Sequence, residues 1–410
     1  MVTLSFGPND PCSVMFRHFT LLQGVSPMKN IWLAAAALIA LLVGAAPAAA
    51  SDPTPQELLK TVGIPPSEGQ RGQMDIVGFA TTEEQMSSVV RQSMALAAPR
   101  HNVLRGEHGW GDNTKFAAAV CPHDDYYYAG RLYALLMPYV NAHTVILFGV
   151  FHKARVWDMN DQLVFDSFET WRGSSGPVKV SPIREAIISR LPKNDYVVDN
   201  DMQQVEHSVE AIVPWLQAYN PDVEIVSILV PYMQWDTMDR LAAELSDALA
   251  TIMREKGWQL GEDVALISSA DAVHYGDAGW GGRSYATFGT DPDGYQKAVN
   301  RDLHLAESAL CGPVTRPSLQ KFLYTCVDRS DVTKYKLTWC GRFSVPFGIN
   351  VASRLNEELN GRQLVGTLLD YGTSVGEVSL DVGELGGLGV TAPNNLHHWV
   401  GYTAIGYQSQ

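Results

Sequence analysis

Short apolar runs alternate with longer amphipathic stretches along this chain, and that alternation constrains the fold more than any other feature of the sequence. A buried strand needs only about four to eight apolar residues, whereas apolar residues every three or four positions indicate a helix. Runs typical of strands occupy residues 116–121, 144–149, 223–230, 264–268, 364–371 and 399–407. Helical spacing occupies residues 81–97, 130–140, 182–191, 205–219, 237–256, 292–310 and 342–359. This order predicts an α/β fold in which helices flank a central, mixed and largely buried sheet.

The first fifty residues are expected to be absent from the mature protein. Residues 28–50 combine Lys29, an apolar core and a stretch of small residues, which is the pattern of a secretory signal peptide. The apolar core is short for a membrane span, so cleavage is favoured over anchoring. Residues 1–27 lack that pattern and suggest a mis-assigned start upstream of Met28. The sequence therefore predicts export to the periplasm or beyond, with no stable membrane insertion after cleavage.

The remaining chain is expected to begin with a flexible lead-in and continue as one domain. Residues 51–72 are polar and rich in proline, which favours an extended, flexible segment. Residues 73–410 contain no internal repeat and no inner linker, so we predict a single α/β domain there. The oligomeric state does not follow from the sequence.

Charge and cysteine content limit the partners and the chemistry of the protein. The chain has 30 basic and 44 acidic side chains, a net charge of −14, and this excess repels nucleic acid. In an oxidising compartment Cys311 and Cys326 are expected to pair as a disulfide. Three interpretations of Cys121 and Cys340 are open: they are buried thiols, they are a metal ligand and its neighbour, or they form a redox pair.

Reactive side chains follow three of the predicted strands and precede one predicted helix. His123, His152 and His274 come shortly after the runs that end at residues 121, 149 and 268, and Cys340 precedes the helix that begins at 342. In open α/β sheets, functional sites lie beyond the carboxyl ends of the strands. Imidazole and thiolate are strong ligands for zinc, iron and copper. The pattern predicts a metal site, although any one of these residues alone is more often structural.

Further side chains near these positions suit proton transfer. Asp271 precedes His274 by three residues, so a turn would let the carboxylate orient the imidazole as a general acid or base. Cys340 lies at a predicted helix start, where the helix dipole favours the thiolate. His207 begins another predicted helix, where it contacts substrate or packs beneath capping residues Glu206 and Ser208.

The ordered series of these motifs resembles the Memo family, whose bacterial members are often called AmmeMemoRadiSam system protein B. The resemblance runs over about residues 75–407 and rests on PHDDYYYAG, FGVFHK, EHSVE, SSADAVH, CGR, LLDYGTS and VGYTAIGY, in that order. The family's fold is related to that of the class III extradiol (LigB-type) non-haem iron dioxygenases, an α/β domain with a central sheet. The resemblance therefore implies the same fold class as the strand and helix pattern.

The resemblance also implies roles for individual residues. It places metal ligands at His123, His152 and Cys340, an acid/base pair at Asp271 and His274, and a pocket-lining imidazole at His207. Three residues replace the family's usual ones: Asp124 and Asp125 after the first ligand and Lys153 after the second. An Ala is also inserted in SSADAVH, with the spacing from Asp to His kept. These changes bear on the substrate pocket more than on the metal site.

Three functions are compatible with these residues. The leading hypothesis is an oxidoreductase that resembles the dioxygenases and uses Fe²⁺, with copper as the second choice, because a thiolate ligand favours redox metals. The second is a hydrolase in which Zn²⁺ activates a water molecule. The third is a binding module without catalysis. In each case the expected partner is a small molecule or a peptide. The sequence lacks G-x-S-x-G and the Walker loop, so it offers no support for a serine hydrolase or a P-loop enzyme.

Overall fold

The computed structural model of the protein describes residues 53–280, 282–376, 379–381 and 388–410. The predictions for residues 1–50, which include the signal peptide, lie outside this range. Among the described residues, no helix has both the length and the apolar character needed to cross a bilayer.

In the described part of the chain, fourteen strands form one sheet. The strands are β1 Gln70–Arg71, β2 Ala118–Cys121, β3 Thr144–Val150, β4 Leu163–Phe165, β5 Thr170–Gly173, β6 Gly176–Val180, β7 Tyr196–Val198, β8 Glu224–Val230, β9 Val264–Ser269, β10 Asp271–Gly276, β11 Gly312–Pro313, β12 Leu364–Thr373, β13 Asn394–Asn395 and β14 His398–Ser409.

The main path of the sheet runs β1-β5-β6-β8-β3-β9-β2-β14-β12-β11, with β4, β7, β10 and β13 paired at its sides. Strands β8, β3, β9 and β2 are parallel, whereas β14 is antiparallel to β2 and β12, so the predicted mixed sheet is confirmed.

The centre of the sheet is apolar on both faces. Every residue of β3 and β9 is buried, and neighbouring side chains go to opposite faces. Ile146 joins the core layer on one face, whereas Leu147 joins the layer on the other. Helices cover both layers, which explains why these strands read as continuous apolar runs.

Ten helices are described alongside the sheet. They are α1 Pro55–Leu59, α2 Glu83–His108, α3 Tyr126–Leu136, α4 Ile183–Ile188, α5 Asn200–Gln204, α6 Val213–Tyr219, α7 Trp235–Lys256, α8 Pro292–Leu310, α9 Arg316–Cys326 and α10 Ser344–Asn360. Helix α2 begins where predicted, because the side chain of Thr82 accepts a hydrogen bond from the Gln85 N–H. It continues through Pro99 to His108 and ends at Gly109, whose φ of 65° suits glycine.

The helix predicted over residues 205–219 is wrong in its first half. Helix α5 ends at Gln204, residues 205–212 form turns, and α6 begins only at Val213. The carboxylate of Glu206 accepts hydrogen bonds from the N–H groups of His207 and Ser208, which competes with the helical pattern. Pro214 then suits the first turn of α6, since that position needs no N–H donor.

The pattern also missed several short elements. Strands β4 to β7 have three to five residues each, too few to show a period. The expected lead-in at 51–72 contains α1 and β1 in its described part, and β1 pairs with β5. The predicted disulfide between Cys311 and Cys326 is wrong, because both cysteines are thiols, as are Cys121 and Cys340. Cys326 instead ends α9, a helix absent from the prediction.

Candidate metal centre

Three strand ends and one helical turn bring the predicted site residues together. His123 and His152 each lie two residues beyond a parallel strand, after β2 and β3. Cys340 begins a 3-10 turn, Cys340–Arg342, that precedes α10. Asp271 and His274 lie on β10, which starts immediately after β9 and pairs with β14. The segment after β9 is therefore a strand, where a turn was predicted.

His123, His152 and Cys340 form a possible metal-binding cluster. Each offers one ligand atom, and these atoms lie within 4.8 Å of one another. His123 and Cys340 are buried, while the side chain of His152 is 22% exposed. Two further groups meet the same distance limit and share members with this cluster. They are Asp271, His274 and Cys340, and His152, Glu206 and His207.

Hydrogen bonds fix which ring nitrogen each histidine turns to the cluster. The Ser269 hydroxyl donates to the carbonyl of Ser208 at 2.5 Å, so it accepts from Nδ1 of His123 at 2.8 Å. Nδ1 of His152 lies 2.8 Å from Oε1 of Glu206, a carboxylate that only accepts. Both histidines therefore use Nδ1 as a donor and keep the Nε2 lone pair for a ligand. Two imidazole nitrogens beside a thiol fit a transition metal.

Glu206 is the most heavily bonded carboxylate of the site. Besides Nδ1 of His152, it accepts the main-chain N–H groups of His152 at 2.7 Å and of His207 and Ser208 at 3.0 Å. Burial alone would raise its pKa, but the contacts with His152 and His207 and these main-chain bonds lower the pKa to about 2. Glu206 is therefore an anion at neutral pH.

His207 carries the opposite charge because of Asp75. Its Nδ1 lies 2.7 Å from Oδ2 of Asp75. Burial would lower the pKa of His207, but the bond to Asp75 and the charge of Glu206 raise it to about 9. Its ring lies 4.8 Å from that of His152 and 5.7 Å from that of His123, centroid to centroid. An imidazolium therefore stands beside the possible metal ligands.

Asp271 lies within 4.8 Å of His274, as the spacing predicts, but its closest contacts are with His123. Its Oδ1 accepts the His123 N–H at 3.0 Å, and its Oδ2 lies 3.2 Å from His123 Nε2. Burial and the nearby Asp124 raise its pKa well above the usual range. The carboxyl group is therefore protonated in the metal-free protein, and it can donate to the His123 lone pair.

His274 lies against the thiol instead. Its Nε2 is 3.1 Å from Sγ of Cys340. Burial and the neighbouring His152 lower the pKa of His274 to about 3, so the ring is neutral. Burial and Asp271 raise the pKa of the Cys340 thiol well above its usual range. The predicted thiolate is thus not favoured by the protein alone, because burial outweighs the helix start.

Two of the three residues that replace the family's usual ones line a cavity of about 490 Å³, and the third contacts residues that line it. Asp124 lines it, accepts a hydrogen bond from the Tyr402 hydroxyl at 2.9 Å, and has a pKa raised to about 7 by burial and by Asp125. Asp125 accepts the N–H groups of Thr391 and Ala392 at 2.6 and 2.7 Å, which fastens a loop over the cavity. Lys153 also lines the cavity.

Sequence reasoning missed two polar residues of the site. Ser269 is the last residue of β9, so the strand-end rule that found His123 could have found it. Asp75 lies 132 residues from His207, between the expected lead-in and the first predicted helix, and no local pattern marks it.

The fold and the cluster together define the class: an α/β protein with a possible His/His/Cys metal-binding cluster at the carboxyl edge of a mixed sheet. The family model of the Memo-like proteins matches residues 80–384, and the chain belongs to that family.

Curated relatives agree with this assignment. A MEMO1 family protein of Pyrobaculum arsenaticum is 30% identical over 167 residues, which cover 39% of this chain and 54% of the relative. Those of Archaeoglobus fulgidus (30% over 161 residues; 38% and 55%) and Methanosarcina barkeri (31% over 162 residues; 38% and 54%) are similar. The chain spans about half the length of the curated relatives it matches.

Proposed function

We propose that this protein is an exported, metal-dependent oxidoreductase that binds iron, or copper as the second choice, at His123, His152 and Cys340. One observation carries the proposal: both imidazoles are held through Nδ1, and each offers a ring nitrogen within 4.8 Å of the Cys340 thiol. Imidazole suits several first-row metals, whereas a thiol ligand adds preference for redox-active or soft ions. A bound iron or copper ion would supply one-electron chemistry toward an oxidant such as O₂.

The protein's own residues would manage protons around that ion. His274 is neutral, buried and 3.1 Å from the thiol sulfur, so it can receive the thiol proton when a metal binds. His207 is held as a cation at the cavity wall and can donate a proton to a substrate atom. Asp271 retains a proton until a cation reaches the site.

The proposed ligand is a small molecule or the side chain of a peptide. The cavity of about 490 Å³ is in the size range of pockets that enclose small ligands. Aromatic and apolar side chains cover much of its wall, with Lys153 and Arg342 as cations. The aromatic lining residues are Phe79, Trp280, Tyr285 and Tyr335.

Metal content measured by mass spectrometry tests the proposal most directly. The protein is purified without oxygen and compared with His123→Ala, Cys340→Ser and the control His397→Ala, an exposed histidine paired with Asp277. We expect stoichiometric iron or copper in the wild type and control, and at least a tenfold loss in the two site variants. Stoichiometric zinc would overturn the redox proposal in favour of hydrolysis, and trace metal throughout would leave a binding pocket.

Export has its own test. Expression of the full chain in a bacterial host, followed by sequencing of the mature amino terminus, should give a protein that starts at residue 51. An intact residue 28 in the cytoplasmic fraction would contradict the proposed export.

A further inference from the structure

We infer that Asp75 is a positioning residue for His207 and that the segment which carries it is part of the functional site. The carboxylate accepts the Nδ1–H of the His207 imidazolium and fixes the ring, so that the Nε2–H is the donor left for a ligand in the cavity. Nδ1 lies 2.7 Å from Oδ2 of Asp75, and both residues line the cavity. Asp75 precedes residues 80–384, so the family match assigns it no role.

Residues 70–75, which we name the N-terminal strap, are anchored to the turns that carry His207. The anchor is Arg71, whose guanidinium is buried and lies 4.2 Å from the ring centre of Trp171. Its Nε and Nη2 donate to the carbonyl of Gln203 at 3.1 and 3.0 Å, and its Nη1 lies 2.6 Å from Oε2 of Glu210. A buried arginine with this many partners has one orientation.

The main chain at Asp75 is held independently of its side chain. Glu210 accepts the N–H of Met74 at 2.8 Å and that of Asp75 at 2.7 Å, besides its ion pair with Arg71. The strap therefore delivers the Asp75 carboxylate to a fixed place beside His207. Removing that carboxylate leaves every anchor bond of the strap in place, so its effect reports on His207.

An ordinary surface pair provides the contrast. Asp277 lies 2.9 Å from Nδ1 of His397 in the same arrangement, but these side chains are 42% and 62% exposed. The side chains of Asp75 and His207 are 35% and 37% exposed, and each is tied to a buried network. An exposed pair exchanges its ring proton with water rapidly, whereas a held pair protects that proton.

Proton NMR of the metal-free, chelated protein tests the inference on the full chain. We expect protected downfield ring N–H resonances, of which the one from His207 is assigned by its loss in His207→Gln. Asp75→Ala should abolish this resonance, and Asp75→Glu should restore it, because glutamate also supplies an acceptor for Nδ1. Asp277→Ala is the matched control and should leave the resonance unchanged. Circular dichroism melts establish that each variant is folded.

Retention of the His207 resonance in folded Asp75→Ala would overturn the inference, as would its loss in Asp277→Ala. Failure of Asp75→Glu to restore it would show that Asp75 acts on packing and not through Nδ1. The catalytic importance of this contact rests on the proposed function, but the NMR readout does not. A protein without metal could still show the resonance, so the two proposals fail separately.

Discussion

On one side of the candidate metal centre Glu206 and His207 are an anion and a cation, whereas on the other side the shifted pKa values of Asp271 and His274 favour the neutral form of each. We call the first the acidic side, formed by Asp75, Glu206 and His207, and the second the thiol side, formed by Asp271, His274 and Cys340. The same two side-chain types, a carboxyl group and an imidazole, therefore occur in opposite states.

The difference comes from partners and not from burial. Glu206 accepts three main-chain N–H groups and an imidazole, and Asp75 faces His207 directly. Asp271 faces another carboxyl group, Asp124, and His274 faces a thiol and other histidines. On the acidic side, the protein itself supplies the partners that stabilise each charge. None of the three residues that form the thiol side carries a positive charge. Arg342 is the nearby cation that lowers the pKa of the Cys340 thiol, and a bound metal ion would lower it further.

The largest test of this comparison removes the buried cation that anchors the acidic side. Arg71→Met should lower the free energy of unfolding by about 3–5 kcal/mol, because it leaves Glu210 charged and unpaired in the interior. Arg190→Met is the control, since its pair with Glu255 is partly exposed, and it should cost less than about 1 kcal/mol. Urea unfolding followed by fluorescence measures both. Equal costs would mean that the acidic side does not depend on its buried charges.

The second test concerns a buried carboxyl group behind the thiol side. Asp302 accepts hydrogen bonds from the indole of Trp339 and, at 3.2 Å, from the Val273 N–H. Burial raises its pKa from 3.8 to about 6. The folded state therefore binds the proton more tightly than the unfolded state does. The free energy of unfolding should fall by about 3 kcal/mol as pH rises from about 4 to about 6. Above that range this contribution is constant.

Asp302→Asn removes that titration. The difference in the free energy of unfolding between wild type and variant should therefore change across about pH 4 to 6 and stay constant at higher pH. Urea unfolding at intervals of pH measures the difference. Parallel curves for the two proteins would show that Asp302 titrates normally, and that burial on the thiol side does not keep acids protonated.

The smallest expected change in the free energy of unfolding comes from replacing one acid on each side by its amide in the metal-free protein. Glu206→Gln should cost about 1–3 kcal/mol, because an amide oxygen cannot accept all the N–H groups that face the carboxylate. Asp271→Asn should cost less than about 1 kcal/mol, since that group is already uncharged. Chemical unfolding in the presence of a chelator compares them. An equal cost for the two variants would remove the contrast between the sides.

The helices and strands that could be predicted are those whose buried apolar residues follow a regular pattern along the sequence. Strand β3 was predicted at residues 144–149 and occupies Thr144–Val150, because both of its faces are covered. Helix α8 has the predicted bounds, Pro292–Leu310, since Asp291 caps it and Pro292 suits its first turn. Strands β4 to β7 could not be predicted, because each has only three to five residues and, apart from the β5–β6 hairpin, they pair with distant strands.

The candidate site divides in the same way. His123 and His152 were found because parallel strands end beside one another, which is a property of the sheet. Asp75 was missed because its partner is 132 residues away, and the state of Cys340 was misjudged because burial depends on the whole fold. Chain spacing placed Asp271 near His274, but it could not show that the hydrogen bond of Asp271 goes to His123.

The position of β14 in the sheet has a consequence for how the protein is made. Strand β14 lies between β2 and β12, although both precede it in the chain. A ribosome therefore releases two strands whose common partner has not yet been synthesised, and each exposes main-chain groups suited to pairing with another molecule. The growing chain is most vulnerable to aggregation in that interval, and chaperones that delay strand pairing should raise its yield.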